Sequence, residues 1–219
     1  MKSSFIVIGI GRFGGAVAKT LAEQGHEVLA VDKLEAHIED VSDFVTHAII
    51  ADCSEERTLK ALGVQNYDCA IVATAQDLGD SVLITRGLKE LGAKQIICKA
   101  RDVRHKKILL KIGADRVVIP EHEAGAKLAL HLSDPKLIDT LDLSDIYGIS
   151  ELHVPDRWIG KTVGELNVRR KHGCVVVAIK KPEEHDEIVV APGAEYVFMA
   201  GDILVLLGEH GLIAEVTHL

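Results

Sequence analysis

The chain has 219 residues, a net charge of -8 and only 4% aromatic residues. This length is enough for a full hydrophobic core and favours two domains over one. The excess of negative charge and the scarcity of aromatic side chains exclude a surface that follows a nucleic-acid backbone or stacks on its bases, so no nucleic-acid partner is expected.

The sequence predicts a cytoplasmic location. Its apolar runs, such as CAIVATA at 69–75, are far shorter than the roughly 20 residues of a membrane-spanning helix. The first residues, MKSSFIVIGIG, lack the cleavage region of a signal peptide. The cysteines are widely spaced and form no CxxC pair, which predicts buried thiols in a reducing compartment. They are Cys53, Cys69, Cys98 and Cys174.

Up to about residue 120, short β-branched runs alternate with amphipathic segments, a pattern typical of βαβ units around a parallel sheet. Val17 and Leu21 predict a helix that ends before Gly25, and Ile84 and Leu88 predict another. The pattern indicates a Rossmann-like, doubly wound α/β domain. The predicted strands are Phe5–Ile10, Glu27–Asp32, His47–Asp52, Cys69–Thr74, Gln95–Ala100 and Arg116–Pro120.

The pattern changes after a predicted helix at Glu121–Leu132. Turn formers and scattered apolar residues then indicate a connector, and the rest indicates a small α+β domain. The predicted elements of that domain are a short helix near Thr162–Leu166, strands at 174–181, 187–192 and 202–208, and a helix near Gly211–Val216. The predicted organisation is a first domain at 1–132, a connector at 133–149 and a second domain at 150–219.

The stretch FIVIGIGRFGG places a GxGxxG motif between a predicted strand and a predicted helix. Gly9 permits a tight turn, Gly11 allows a phosphate to approach the backbone, and Gly14 allows the helix to pack on the sheet. Asp32 ends the second predicted strand, where an acid accepts hydrogen bonds from ribose hydroxyls and disfavours a 2'-phosphate. The bland alternative is a turn that uses glycine for geometry alone, with Asp32 capping the next helix. The combined pattern favours NAD, ADP or ATP over NADP.

Arg12 lies inside this loop, where a guanidinium could pair with a terminal phosphate or face solvent on the first helical turn. Both interpretations are open at this point. Further polar residues follow the other strands, at the sheet edge where ligands of open α/β sheets bind. Ser54 is expected to cap a helix, whereas Asp52 caps it or contacts the nucleoside. The remaining predicted nucleotide-site residues are Phe13, Lys33, Cys53, Thr74, Lys99 and Arg101.

No catalytic constellation accompanies the loop, and a second domain of about 70 residues is small for a substrate pocket. The histidines in charged contexts, His105, His122, His172 and His185, are expected at the surface. Glu121 and Glu123 open a predicted helix, where the helix dipole favours acids. This local explanation is sufficient for Glu123 and leaves the role of Glu121 open.

Together these residues resemble the RCK or TrkA family, the cytoplasmic regulatory subunits of bacterial potassium uptake systems, and most nearly its KtrA type. The matching stretches span nearly the whole chain. They are FIVIGIGRFGG, HEVLAVD, THAIIADCSEE, IGADRVVIPE, LNVRRKHGCVVVAIKK and GDILVLLG.

The resemblance implies a regulatory subunit rather than an enzyme, with an RCK N-terminal and an RCK C-terminal domain. Its dimers would form an octameric ring beneath a membrane potassium translocator of the KtrB or TrkH type, and exchange of ATP and ADP would change the ring's shape. The glycines would hold phosphates, Asp32 the ribose, and Arg12 the terminal phosphate of ATP. Glu121 matches a family acid that helps to place a monovalent or divalent cation near the phosphates at the dimer interface.

In some relatives the C-terminal domain binds cyclic di-AMP across a two-fold axis, and here Asn167 and Arg169 would contribute. The acidic hairpin KKPEEHDEIVVAP at 180–192 departs from what is expected around such an anion. Two other function classes remain. The first is an NAD-dependent oxidoreductase, which is supported only by the generic glycine loop. The second is a regulator of transcription that senses NADH, but the sequence contains no basic helix of the kind that binds DNA.

Overall fold

A computed structural model describes residues 2–74, 77–133, 136–181 and 187–218. The chain divides into two compact units, Met1–Ala124 and Gly125–Leu219. This division falls within a helix at Pro120–Ser133, earlier than residue 132, where the sequence predicts the first domain to end.

In the described part of the first unit, six parallel strands form a sheet in the order β3-β2-β1-β4-β5-β6. All the strands predicted for this unit are present. Five of them end one or two residues earlier than predicted, because the chain turns away at the edge where the loops begin. The strands are β1 (Ser4–Ile8), β2 (Glu27–Asp32), β3 (His47–Ile50), β4 (Cys69–Val72), β5 (Ile96–Lys99) and β6 (Arg116–Val118).

Helices cover both faces of this sheet, because successive side chains of a strand point to opposite faces. Ile6 and Ile8 of β1 pack into one apolar cluster with Leu88, whereas Val7 packs into another with Ala18. Both faces are therefore buried, and the predicted doubly wound α/β class is confirmed. The helices of this unit are α1 (Arg12–Glu23), α2 (Glu35–Ser42), α3 (Glu56–Ala61), α4 (Leu78–Glu90) and α5 (Val103–Ile112). Helix α6 (Pro120–Ser133) begins in this unit and continues into the second.

The second unit is built on an antiparallel sheet in the order β10-β9-β11-β8-β7. Leu204 and Leu206 alternate along the central strand and are fully buried together with Phe198. The predicted α+β class is confirmed. The elements are β7 (Leu137–Asp142), β8 (Tyr147–His153), α7 (Val163–Leu166), α8 (Val168–His172), β9 (Val175–Lys181), β10 (Glu187–Val190), β11 (Ile203–Glu209) and α9 (His210–Thr217).

The segment predicted as a connector, 133–149, contains strand β7 and the start of β8, which pair antiparallel. The acids of β7 have low strand propensity, so the strand forms through its ladder with β8 rather than through local preference. Residues 134–135 of the connector lie outside the described residues, as do residues 182–186 of the acidic hairpin. Among the described residues, no helix is long and apolar enough to cross a membrane.

The thiols of all four cysteines are free and buried. Burial raises the pKa of Cys53 to about 12 and those of Cys69 and Cys98 to about 11. Because the thiolate is the reactive form, we expect the native protein to react only slowly with a thiol-specific disulfide reagent at pH 8. Absorbance should report four reactive thiols only after unfolding in guanidinium chloride. Rapid reaction of one full equivalent with the native protein would contradict this.

Candidate functional site

The glycine loop joins β1 to α1, and two of its glycines, Gly9 and Gly14, are required by close backbone contacts. Gly9 has φ +94°, and a Cβ there would lie 2.7 Å from the backbone nitrogen of Thr74. A Cβ on Gly14 would overlap the carbonyl oxygen of Gly9 and lie 2.9 Å from the Cβ of Ala73. The turn and the first helical turn therefore pack backbone against backbone.

Gly11 differs from the other two glycines, because a Cβ there would meet no atom within 4 Å. It is the N-cap of α1 and has φ -77°, which any residue adopts. Gly11 supplies no side-chain cap and the first turn of α1 contains no acidic residue, which leaves the first N–H groups and the positive end of the helix dipole without a side-chain partner. This is the arrangement that receives a phosphate.

The Asp32 carboxylate is held at the end of β2 by three neighbours. Oδ2 accepts a hydrogen bond from Ile10 N at 2.6 Å and lies 3.1 Å from His37 Nδ1, and Oδ1 accepts from Leu34 N at 2.9 Å. Burial by itself would raise the pKa of Asp32, but the hydrogen bonds from Leu34, Ile10 and His37 lower it overall. The carboxylate is thus ionised and joins the glycine loop to the turn before α2. The N-cap residue of α2 is Leu34, which makes no side-chain cap bond. Asp32 is therefore not the N-cap residue of that helix.

These elements surround a cleft of about 800 Å³ at the carboxyl edge of the parallel sheet. Its size falls within the range of sites for nucleotide-sized ligands. Gly14 does not line it, because that glycine lies beneath the loop. The predicted site residues that line the cleft are Gly9, Gly11, Arg12, Phe13, Asp32, Lys33, Thr74, Lys99, Arg101 and Glu121.

Asp52 and Cys53 line a small adjoining pocket together with Asp32 and Thr74. The expectation that Ser54 caps the next helix was wrong. Its hydroxyl and its backbone N–H both donate to Asp52 Oδ1, at 2.7 and 2.9 Å, and the N-cap of α3 is the next residue, Glu55, which makes no side-chain cap bond. The Ser54 hydroxyl is therefore already bonded within the local turn before α3 begins, and it is not available to cap the helix.

Positive charge gathers beside the glycine loop. Lys99 Nζ lies 2.6 Å from Glu121 Oε1 and 5.7 Å from the centre of the Phe13 ring. The hydrogen bond from Lys99 lowers the pKa of Glu121, and the charge of Arg12 contributes less. Arg12 is exposed at the start of α1. Among the described residues, no group of three or more His, Cys, Asp or Glu side chains could share a metal ion.

Sequence reasoning missed three titratable side chains that line the cleft, His37, Asp77 and Asp80, and two apolar residues, Leu34 and Ala73. Asp77 is the N-cap of α4 and accepts from Gly79 N and Asp80 N, and Asp80 Oδ2 lies 3.1 Å from Lys33 Nζ. The sequence could have indicated these two acids, because both follow β4 and therefore lie at the same edge of the sheet as the predicted site residues.

The expected surface position of His105 was wrong. The residue is 1% exposed, because its ring turns inward from the first turn of α5 and hydrogen-bonds to Ser81 Oγ at 2.8 Å. A charged sequence context does not reveal which face of a short helix packs on its neighbour. His122 is exposed, His172 is half-buried against Trp158, and His185 lies outside the described residues.

Asn167 and Arg169 belong to the second unit and do not line this cleft. Asn167 has φ 45° at the junction of α7 and α8, and both residues are exposed. The second unit has its own concavity of about 580 Å³, lined by residues of β7, β8 and α9. The described residues that line it include no glycine loop, lysine or arginine, so we take the cleft of the first unit as the candidate site.

Two domain families match the chain. Residues 5–120 match the TrkA-N domain, and residues 149–219 match the TrkA-C domain. The chain is 43% identical over 204 residues to Ktr system potassium uptake protein A of Bacillus subtilis (strain 168), covering 93% of this chain and 90% of that protein. It is 34% identical over 210 residues to Ktr system potassium uptake protein A of Vibrio alginolyticus, covering 96% of this chain and 94% of that protein.

The fold is similar to that of the GsuK channel bound to NAD, with a TM-score of 0.69 at 19% identity, covering all of this chain and 39% of that one. The GsuK RCK domain gives a TM-score of 0.55 at 24% identity, covering 99% of this chain and 46% of that one. The chain thus spans less than half of either GsuK chain, and the likeness shows the fold. The matched domains and the close relatives confirm the resemblance: the chain belongs to the TrkA-N and TrkA-C domain family that includes the Ktr system potassium uptake proteins.

Proposed function

We propose that this chain is a cytoplasmic, nucleotide-sensing regulatory subunit of a membrane potassium transporter. The observation that carries the proposal is the glycine loop, whose open helix N-terminus is flanked by the cation of Arg12 and by the fixed carboxylate of Asp32. These groups suit the two ends of an adenosine phosphate. The close relatives are named as potassium uptake proteins, which supports the transporter as the process regulated.

ATP and ADP would share the adenosine and the first two phosphates, and only ATP offers a γ-phosphate to Arg12. A ligand shifts a conformational equilibrium only through its differential affinity for the two states. We infer that this contact is the source of the difference. Regulation of this kind needs binding and a change of shape but no chemical step, in keeping with a protein that is not an enzyme.

The assembly and its partner rest on the family resemblance. We infer dimers that form an octameric ring, docked on a membrane translocator of the KtrB or TrkH type. Glu121 would help to hold a cation near the phosphates in the dimer. Its side chain is 67% exposed and its carboxylate is paired with Lys99, so a triphosphate that attracts Lys99 would free the carboxylate for that role.

The test is calorimetric titration of the purified chain with ATP, ADP, NAD and NADH, with particle mass recorded in each state. Tight binding of ATP and ADP by a large ring would support the proposal. Binding of NADH alone, by a monomer or a dimer, would contradict it.

The second candidate is a regulator that binds NAD or NADH, or an NAD-dependent oxidoreductase. The specific observation in its favour is the combination of a cleft large enough for a dinucleotide with Asp32 at the ribose position. Consumption of NADH with a small carbonyl substrate in a steady-state screen would favour the oxidoreductase.

Whichever adenine nucleotide binds, we expect the site to reject a 2'-phosphate. Asp32, Asp52 and Asp80 all line the pocket beside the ribose position, and a phosphate there would meet carboxylates of the same sign. NADP should therefore compete with a bound fluorescent adenine nucleotide at least about tenfold less well than NAD. In Asp32→Asn, the difference in affinity between NAD and NADP should be smaller. Equal competition by NAD and NADP in the wild type would contradict the placement of the ribose.

Binding of cyclic di-AMP by the second unit also stays a proposal. Asn167 and Arg169 are exposed, and pairing of two copies would be needed to bring two arginines to one ligand.

A further inference from the structure

His105 joins two walls of the cleft without reaching the cleft itself. The residue is 1% exposed, and its ring lies between α5 and α4. It lies in the first turn of α5, whose N-cap Asp102 accepts a hydrogen bond from His105 N at 2.8 Å. Helical side chains lean toward the N-terminus, so the ring lies beneath the backbone of Arg101, a residue that lines the cleft.

The hydrogen bonds of the ring run in one direction. Arg101 N donates to His105 Nδ1 at 3.4 Å, which makes Nδ1 the acceptor and leaves the proton on Nε2. Nε2 then donates to Ser81 Oγ at 2.8 Å, and that hydroxyl donates to Leu78 O at 2.9 Å. Burial lowers the pKa of His105, and the charge of Arg101 lowers it further. The neutral ring is thus the form that fits its surroundings.

This series of hydrogen bonds ends at the first turn of α4. The same turn carries Asp80, and Asp77 caps it. Both acids line the cleft that Arg101 also lines. One buried ring therefore sets the position of the Arg101 backbone relative to α4. This is more than helix packing, because the bond to Arg101 N lies outside both helices.

We propose that His105 is a positioning residue for nucleotide binding, which holds Arg101 at the cleft through the acceptor Nδ1. The inference rests on the proposed function, since it assigns Arg101 a contact with the nucleotide. Loss of the bond would let the loop between β5 and α5 drift, which would lower the affinity without removing any group that contacts the ligand.

Two substitutions separate the two ends of the ring. In His105→Asn, the side-chain oxygen lies near the position of Nδ1 and still accepts from Arg101 N, while the bond to Ser81 is lost. In His105→Gln, the amide nitrogen reaches Ser81, while the bond to Arg101 is lost. Both variants should be destabilised, but His105→Gln should bind ATP about fivefold more weakly and His105→Asn within about twofold of the wild type. Equal affinities for the two variants would overturn the proposal.

A double-mutant cycle adds a readout that a merely structural role would not move. In an Arg101→Ala background, His105→Gln should have no further effect on ATP affinity, because the residue through which it acts has gone. A full additional fivefold loss in that background would overturn the proposal. Thr85→Val is the matched control: Thr85 is fully buried on α4 and bonds to Ser81 O and Cys98 Sγ, so its loss should lower stability and leave affinity unchanged.

Amide hydrogen exchange tests the bond even if a variant fails to fold. In the wild type, the amide of Arg101 should be protected although its side chain is 53% exposed. It should exchange faster in His105→Gln and stay protected in His105→Asn. Rapid exchange of this amide in the wild type would overturn the proposal. If calorimetry shows no nucleotide binding at all, the proposed function fails, while the exchange rates still report on the hydrogen bond.

Discussion

Gly14→Ala is expected to prevent the first unit from folding stably. The new Cβ would overlap the carbonyl oxygen of Gly9 and press on Ala73 of the loop after β4, and these are backbone and short side-chain atoms that cannot rotate away. Relief requires moving α1 off the sheet, which opens the cluster containing Val7 and Ala18. We expect a loss of at least about 3 kcal/mol in the free energy of unfolding. Thermal or denaturant unfolding followed by circular dichroism measures it.

Gly11→Ala is the matched control for this substitution. Its Cβ enters open space, so the unfolding free energy should change by no more than about 0.5 kcal/mol. The methyl group would stand where the phosphate approaches the backbone, and nucleotide affinity should fall at least about tenfold. The two alanines thus separate stability from binding. A stable Gly14→Ala protein, or normal binding by Gly11→Ala, would contradict the steric roles assigned here.

Arg12→Ala is expected to remove the preference between ATP and ADP while leaving adenosine binding in place. Arg12 is exposed and begins α1, without a role in the core, so the fold should persist. The guanidinium is proposed to pair with the γ-phosphate, and a charge-assisted, bidentate contact of that kind is worth roughly a tenfold or greater difference in affinity. Calorimetry with both nucleotides measures the ratio.

Two further variants define what Arg12 supplies. Arg12→Lys keeps the charge but not the planar fork, so an intermediate ratio is expected. Arg116→Ala removes the same charge from an exposed residue that begins β6, at the opposite end of the strands from the cleft, and should leave the ratio unchanged. An unchanged preference for ATP in Arg12→Ala would overturn the proposed sensor role.

Several features of the site follow from local sequence alone. Gly9 lies at φ +94°, a conformation that is disfavoured for residues with a Cβ, so the glycine at this position predicts the turn. The apolar, β-branched runs of β1, β2 and β4 indicate strands that are buried on both faces, and Asp32 ends one of these runs. Because parallel strands end at one edge of a sheet, even the convergence of Thr74, Lys99 and Arg101 at the cleft could be expected from the chain order.

Other features depend on contacts between distant parts of the chain. Strand β7 forms because its backbone pairs with β8. Its acidic residues have low strand propensity, so the sequence did not predict this strand. His105 is buried because the first turn of α5 packs on α4, which sets the orientation of a ring that the sequence alone would place in solvent. Asp80 meets Lys33 across 47 positions of the chain. The sequence by itself determined the class of fold, the turn and the helix end that face the ligand, since these depend on backbone conformation and short-range pattern. Only the tertiary structure decided which side chains meet across the cleft and beneath it, because those partners are brought together by packing rather than by spacing.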